Sequence, residues 1–348
     1  MDPTPATIRD VATRAGCSIA TVSRVVTGHG PVSPAMQKRV VEAALALGFV
    51  LTPAGESRRP VLGVLLPSLT NPVFAGVLAG VEQSARANGF SVIMGQSNYD
   101  TAQEVAIAAA LIAERPIGLV MTVCDPPTSE ALDMIARQSL PAATVYNENV
   151  PDGLGAVSVD NRAAMRRLTD ELIALGHQRI LFIGGRFSSS DRAAQRYLGY
   201  CDALETAQRR PLLPLEVDFI DAAQDVDLTL AFAQDDPTAV IVSNDLLAVT
   251  VIAALRRMGL RVPEDVSVTG FDGIDLARHI SPKLTTIVQP SRSMGVLAAS
   301  MVLDIAAGRR RPHHLRADFS FSRGETIAPA RSERAILPIT LEAESQQP

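Results

Sequence analysis

Only three cysteines occur in the 348 residues, Cys17, Cys124 and Cys201, an odd set without metal-type spacing. Such a set suits a reducing compartment and gives no disulfide framework; free cysteines of this kind are ordinarily small packing residues. Long apolar runs are lacking as well, since stretches such as Val61–Leu66 are too short to cross a bilayer. The first ten residues, Met1–Asp10, hold no basic segment followed by an apolar stretch, so nothing there reads as a secretion signal. The expected location is the cytoplasm, with no membrane partner. Missing too are a Gly-x-x-x-x-Gly-Lys-Ser/Thr phosphate loop, a Gly-x-Ser-x-Gly elbow and a Gly-x-Gly-x-x-Gly after the first strand. His29, His177, His279, His313 and His314 do not pair with cysteines or acids at metal spacing. No metal, no cofactor and no enzymatic activity are therefore expected.

What is present is a chain with the hydrophobic and charged fractions of ordinary globular proteins, 47% and 20%, and long enough for two or three folding units. A net charge of −5 taken whole argues against a nucleic-acid partner, but the charge is unevenly spread. Residues 1–59 carry seven basic side chains against four acidic ones, a net of +3, which leaves −8 for the remainder. A small basic head on an acidic body lets only the head approach phosphates.

The head reads as three short helices. Thr7-Ile-Arg-Asp10 has the spacing of a capping box, Val11, Ala12 and Ala15 repeat at helical spacing, and Gly16 ends that helix. Ser18 then caps a second helix running to about Thr27, with Val22, Val25 and Val26 inward and Ile19, Ala20, Ser23 and Arg24 outward. After Gly28-His-Gly-Pro-Val32, Ser33-Pro34 opens a third helix whose stripe is Val40, Val41, Ala44 and Leu45, stopped by Gly48. Two helices joined by a tight turn, with short polar side chains and an arginine on the outer face of the second, meet the requirements of major-groove reading. Thr21 and Ser23 are suited to phosphates, Arg24 to a guanine edge, and Ile19 and Ala20 to thymine methyls. Ser18, Thr27 and His29, at the ends of the same helix, complete the expected DNA-facing set.

The run Thr7-Ile-Arg-Asp-Val-Ala-Thr-Arg-Ala-Gly-Cys-Ser-Ile-Ala-Thr-Val-Ser-Arg-Val-Val, followed by Gly-Pro-Val-Ser-Pro, resembles the DNA-binding head of the LacI/GalR family of bacterial regulators. The resemblance implies a helix-turn-helix over about residues 8–27, operator discrimination by Ile19 and Ala20, and base reading by Arg24. It also exposes a departure. Similar proteins follow the third helix with a hinge helix whose leucine wedges into the minor groove. Here residues 49–60 put Thr52 where Asn is usual, Glu56 where Arg is usual and Arg58 where that Leu is usual. Gly55 weakens a helix and Glu56 faces phosphates unfavourably. A poorer hinge helix and a smaller kink are expected, with Arg58 and Arg59 entering the minor groove electrostatically.

From residue 61 short strands alternate with helices: strands at Val61–Leu66, Phe90–Met94, Gly118–Val123, Ala142–Tyr146, Ala156–Val159, Ile180–Ile183, Ala239–Val242 and Val266–Thr269, helices at Phe74–Asn88, Asn161–Leu175 and Leu246–Met258. Continuous apolar strands between helices indicate parallel sheets covered on both faces, and their number indicates two lobes. Pro67-Ser-Leu-Thr-Asn-Pro-Val-Phe74, Leu175-Gly-His-Gln-Arg-Ile180, Ser243-Asn-Asp245, Arg261-Val-Pro-Glu-Asp-Val-Ser-Val-Thr-Gly-Phe-Asp272 and Leu284-Thr-Thr-Ile-Val-Gln-Pro290 extend the family resemblance across nearly the whole chain. It implies a periplasmic-binding-protein-like α/β core of two flavodoxin-like lobes behind the all-α head. Lobe one is then 61–158 with 291–319, lobe two 159–290 with 320–330, and 331–348 a tail.

Parallel sheets place ligands at the carboxyl ends of strands. The polar residues expected there are Ser68, Asn71, Asp125, Tyr146, Ser190, Arg192, Arg196, Asn244 and Asp272, with Phe74 as an apolar face; Asp245 reads as readily as a helix cap. The resemblance singles out Arg196 and Asp272, a guanidinium fork and a carboxylate, as holders of a hydroxylated effector. The cluster Arg186, Arg192 and Arg196 suggests a sugar acid, so the effector class is a sugar or sugar acid. The resulting expectation is a homodimeric regulator, more readily a repressor than an activator, whose grip on a near-palindromic operator changes as an effector closes the lobes; whether dimers pair into tetramers stays open. The alternative is a solute-binding protein of the same core fold, which would not carry the head.

Overall fold

The Thr7 hydroxyl accepts from the Asp10 amide at 3.4 Å, and the Asp10 carboxylate accepts from the Thr7 amide at 2.7 Å. This reciprocal cap starts α1, Ile8–Ala15, and Gly16 closes it in the left-handed region at φ 62°. α2 spans Ile19–Thr27 and α3 Pro34–Ala46, the latter capped by Ser33. Val11, Ala12, Ala15, Val22, Val40, Ala43 and Ala44 form the head's core, with Cys17, Val25 and Val26 packed against it. Arg39 donates to the Ala15 carbonyl at 2.5 Å, satisfying an orphan acceptor at the end of α1 and tying α3 to it. Two expectations fail here. Val41 is 40% and Leu45 76% exposed, because the buried stripe of α3 runs through Val40, Ala43 and Ala44.

The computed structural model describes residues 6–27, 30–49, 51, 60–222 and 225–331. His29, the hinge segment around Thr52 and Glu56, and Arg58 lie outside them. The chain divides into two units at Pro60/Val61, each with its own core.

In the second unit the first lobe takes β1 Val61–Leu66, α4 Pro72–Ala87, β2 Ser91–Gln96, α5 Thr101–Ala113, β3 Leu119–Met121, α6 Glu130–Arg137, β4 Ala142–Val145 and β5 Gly155–Ser158. The chain crosses to a second lobe of α7 Asn161–Ala174, β6 Ile180–Gly185, α8 Asp191–Thr206, β7 Leu215–Val217, α9 Phe219–Ala222, α10 Thr229–Asp235, β8 Ala239–Val242, α11 Asp245–Arg257, β9 Ser267–Asp272, α12 Leu276–His279 and β10 Thr285–Val288. It returns through α13 Ser291–Ala306 and β11 His314–Arg316 to the first lobe, then adds β12 Ser320–Ser322 to the second. The sheet orders are β11-β5-β4-β3-β1-β2 and β12-β10-β9-β8-β6-β7. Ignoring the two late strands, both follow the doubly wound 2-1-3-4-5 pattern. All pairings are parallel except β10 with β12. Central strands such as Val61–Leu66 and Ala239–Val242 are buried along their whole length, as helices on both faces require. β7, β10, β11 and β12 escape the sequence reading because they are three or four residues long and three of them lie at sheet edges.

Candidate functional site

The carboxyl ends of β1, β6, β8 and β9 face one cleft between the lobes, with a free cavity volume of about 30 Å³. Asn71, Phe74, Tyr146, Ser190, Arg192, Arg196, Asn244 and Asp272 line it together. Three are placed by helix starts: Asn71 caps α4, Ser190 caps α8 and Asn244 caps α11. Capping commits one side-chain oxygen of each and fixes its position at the cleft wall.

Arg196 and Asp272 meet across 3.5 Å, both nearly inaccessible to solvent. The Arg196 guanidinium lies 3.6 Å from the centroid of the Phe271 ring, donates through Nε to Asn161 at 2.9 Å, and donates to the Ser243 carbonyl. Asp272 also accepts from Gln289 Nε2 at 2.8 Å. Burial nonetheless dominates and pushes the Asp272 carboxyl up to about 6, against the lowering effect of Arg196 and Gln289. Behind it stands Asp245, wholly buried. Its Oδ2 accepts from the amides of Gly273 at 2.7 Å and Ile274 at 2.9 Å, and its Oδ1 from the Thr286 hydroxyl at 2.6 Å. It does not cap α11, a task that falls to Asn244. Burial first, and Asp272 second, raise the Asp245 carboxyl to about 8.

Arg192 spans the lobes. It donates through Nη1 to the Val123 carbonyl of the first lobe at 2.7 Å and to Asp191 at 2.8 Å. The amide of Asp191 reaches the Cys124 carbonyl at 2.9 Å, and Asn147 donates to the Asp191 carboxylate at 2.9 Å. Among the described residues, Arg192 Nη2 and Gln289 Oε1 are buried without a hydrogen-bond partner. Both side chains line the cleft.

Two residues of the expected set fall elsewhere. Ser68 lines an adjoining depression with Thr70, Asn71 and Leu246, its hydroxyl accepting the amides of Thr70 and Asn71. Asp125 is outside the cleft because β3 ends at Met121 and the chain turns through Pro126, so its carboxylate binds the Thr128 hydroxyl at 2.7 Å. Arg186, once suspected of serving an anion, is 61% exposed and pairs with Asp218 at 3.6 Å. Conversely, sequence reading missed Tyr99, Phe219 and Gln289. Tyr99 and Phe219 come from opposite lobes with ring centroids 4.9 Å apart, and Phe74 joins them at 6.5 Å from Tyr99. Each follows a strand that was cut short or unread, namely β2, β7 and β10. Correct strand ends were the signal that would have found them. Among the described residues no three His, Cys, Asp or Glu side chains are grouped to hold a metal ion, and no helix is long and apolar enough to cross a membrane.

In the head, Ile19, Ala20 and Arg24 are exposed along one face of α2, with Ser23 and Thr27 half-buried at its side. Ser18 caps the helix, accepting the Thr21 amide at 3.1 Å and sharing a hydrogen bond with the Thr21 hydroxyl at 2.9 Å. Thr27 donates its hydroxyl to the Ser23 carbonyl at 2.9 Å.

A helix-turn-helix unit and a two-lobed, cleft-bearing α/β unit on one chain define the class of ligand-sensing DNA-binding regulators. Residues 7–50 match the family described as bacterial regulatory proteins, lacI family, and residues 169–320 match the periplasmic binding protein-like domain. The HTH-type transcriptional repressor CytR of Escherichia coli (strain K12) is 31% identical over 319 residues, covering 88% of this chain and 91% of the relative. The lac repressor dimer bound to operator and the anti-inducer ONPF is similar at a TM-score of 0.66 and 27% identity, over 93% of this chain and 100% of that one. The CelR transcriptional regulator in complex with cellobiose gives a TM-score of 0.68 and 26% identity, over 92% and 99%. The chain belongs to the LacI family of bacterial regulators and is a sequence-specific DNA-binding transcriptional regulator.

Proposed function

We propose that this regulator is a homodimeric repressor whose operator affinity is set by a sugar-class effector bound in the cleft of Arg192, Arg196, Asp272 and Gln289. The observation that carries the effector reading is the pair of buried, unpartnered groups Arg192 Nη2 and Gln289 Oε1. One is a donor, the other an acceptor, and leaving such atoms unpaired is costly. A ligand hydroxyl, which donates and accepts, satisfies either. Aromatic rings from both lobes supply an apolar wall for the carbon face of a sugar ring. Between a neutral sugar and a sugar acid the charges favour the former: Asp272 compensates Arg196, Asp191 compensates Arg192, and Arg186 is turned to solvent. The repressor and dimer readings are supported by the relatives, one a named repressor and one a repressor dimer on operator. Reading of bases falls to Ile19, Ala20 and Arg24, with Ser18, Thr21, Ser23 and Thr27 toward phosphates.

Calorimetry with cellobiose, ribose, glucose and gluconate tests the effector class. Binding of a neutral sugar that is lost in Arg196→Ala supports the reading. Tight binding of a purine or a cation, with none of these four, would overturn it. Selection of duplexes from a random pool, repeated with the sugar that binds, tests repression: a two-fold symmetric site must emerge and its occupancy must change with sugar.

A further inference from the structure

We propose that Arg309-Arg310-Arg311 is a second DNA contact, gripping phosphates of the duplex beside the site that the head reads. This rests on the chain being a DNA-binding regulator and not on the effector reading.

Lobe one, residues 61–158 and 291–319, is acidic, with eight basic side chains against eleven acidic ones, yet three of the eight are consecutive. The run lies on the connection between α13 and β11 and is exposed throughout. Asp304 is the carboxylate it meets, and it is shared: Arg309 approaches to 2.7 Å and Arg310 to 3.7 Å. Arg311 has no carboxylate partner among the described residues. Exposed ion pairs of this kind are weak and exchange readily for phosphate oxygens, which take guanidinium in a two-pronged fit.

Strand direction decides which way the run faces. β1, β3, β4, β5 and β11 are all parallel, so their first residues share one end of the sheet and their last residues face the cleft. His313 gives its carbonyl to the Ala156 amide at 3.1 Å, at the beginning of β5. The run therefore occupies the end opposite the cleft. That is the end at which the chain, arriving from the head through Pro60, enters β1 at Val61. The segment from Phe49 to Val61 reaches at most about 40 Å when extended. The arginine run and the point where the head's chain joins the second unit thus share one end of the first lobe's sheet. The opposite end of β11 carries Arg316, but Asp160 claims it at 3.1 Å.

The test is the salt dependence of full-length protein binding to random-sequence duplexes of about 16 and about 40 base pairs, read by fluorescence anisotropy. Each phosphate neutralised adds roughly 0.9 to the slope of log affinity against log salt. The triple variant Arg309→Gln/Arg310→Gln/Arg311→Gln should lose about 2 to 3 from that slope on the long duplex and nothing on the short one. Arg311→Gln alone should lose about 1, which keeps the test available if the triple variant folds poorly. A matched triple on lobe two, Arg210→Gln/Arg257→Gln/Arg278→Gln, makes the same change in net charge and should keep the wild-type slope. Equal slopes for wild type and the Arg309–Arg311 triple on the long duplex overturn the proposal. So does an equal loss in the lobe-two triple, which would assign the effect to overall charge.

Discussion

Asp272 sits at the end of β9 with φ at 116°, a backbone conformation that costs an L-residue about 1–3 kcal/mol unless its surroundings impose it. Asp245 is what imposes it, by holding the two amides that follow, while the Gln289 amide takes the Asp272 carbonyl at 3.1 Å. The two carboxylates have opposite duties: one is buried to shape the turn, the other is turned to the cleft. Because Asp272 titrates at about 6, its capacity to accept from an effector hydroxyl is full above that pH and fades below it. Sugar affinity should fall as pH drops from 7.5 towards 5, approaching about tenfold per unit below 6, and Asp272→Asn should bind weakly without that dependence. Stability runs the other way. Both folded pKa values, about 6 and about 8, lie above the ordinary 3.8, so between about 4 and 8 the folded state holds protons that the unfolded chain has released. Stability therefore declines as pH rises through that window. Thermal melts of Asp245→Asn should be flatter than wild type from pH 5 to pH 8, and a parallel decline in both proteins would refute the assignment. In the head, Arg24→Ala should cost about 1–3 kcal/mol on a selected operator and blur one base, whereas Ser23→Ala should weaken selected and random duplexes alike.

Pairs of helices close each lobe, and in the first lobe the pair meets through glycine. A Cβ on Gly80 of α4 would stand 2.1 Å from the Arg292 carbonyl oxygen, and one on Gly295 of α13 would stand 2.2 Å from that of Val77. Both neighbours are backbone and cannot turn aside. Gly80→Ala should separate α4 from α13 and destabilise the core by several times the usual ~1 kcal/mol of a point substitution, seen as a lowered Tm with the head's hydrogen exchange unchanged. Nothing in the sequence pattern marks those glycines, since α13 is assembled onto a sheet five of whose six strands precede it by more than a hundred residues. Local signals were legible where the physics is local: the Thr7–Asp10 box, the Gly16 stop, the Ser33-Pro34 start, and the buried strands at Val61 and Ala239. Strand-end logic brought Asn71, Arg192, Arg196, Asn244 and Asp272 to one place from widely separated segments. It failed where an element was too short to announce itself, which hid Phe219 and Gln289, and where a turn redirected a side chain, as Pro126 does to Asp125. The stripe Val40, Val41, Ala44 and Leu45 on α3 is right in Val40 and Ala44 and rotated by one position in the other two, Ala43 being the third buried residue.

At the scale of the whole second unit, the lobes are joined by bonds that do not pass through the effector. Asn147 to Asp191, the Asp191 amide to the Cys124 carbonyl, and Arg192 to the Val123 carbonyl all cross from one lobe to the other. They hold the two lobes in the arrangement seen here, and Arg192 belongs both to them and to the cleft wall. An effector that satisfies Arg192 Nη2 can thereby stabilise closure without replacing any existing bond. The consequence is a linkage that can be measured away from the cleft. Asn147→Ala removes one crossing bond, worth about 1 kcal/mol net, together with the two bonds Asn147 makes inside the first lobe to the Val123 amide and carbonyl. If closure precedes tight binding and the closed form is the minority without ligand, its population falls roughly fivefold, and apparent sugar affinity falls by the same factor. Small-angle scattering should show ligand-free Asn147→Ala more extended than wild type, the two converging when saturated with sugar. Linkage is reciprocal, so the operator affinity of the variant should also respond to sugar over a shifted concentration range of the same factor. An unchanged affinity together with an unchanged radius of gyration would mean that closure is set elsewhere, by the three chain crossings themselves, and that Arg192 acts on the effector alone.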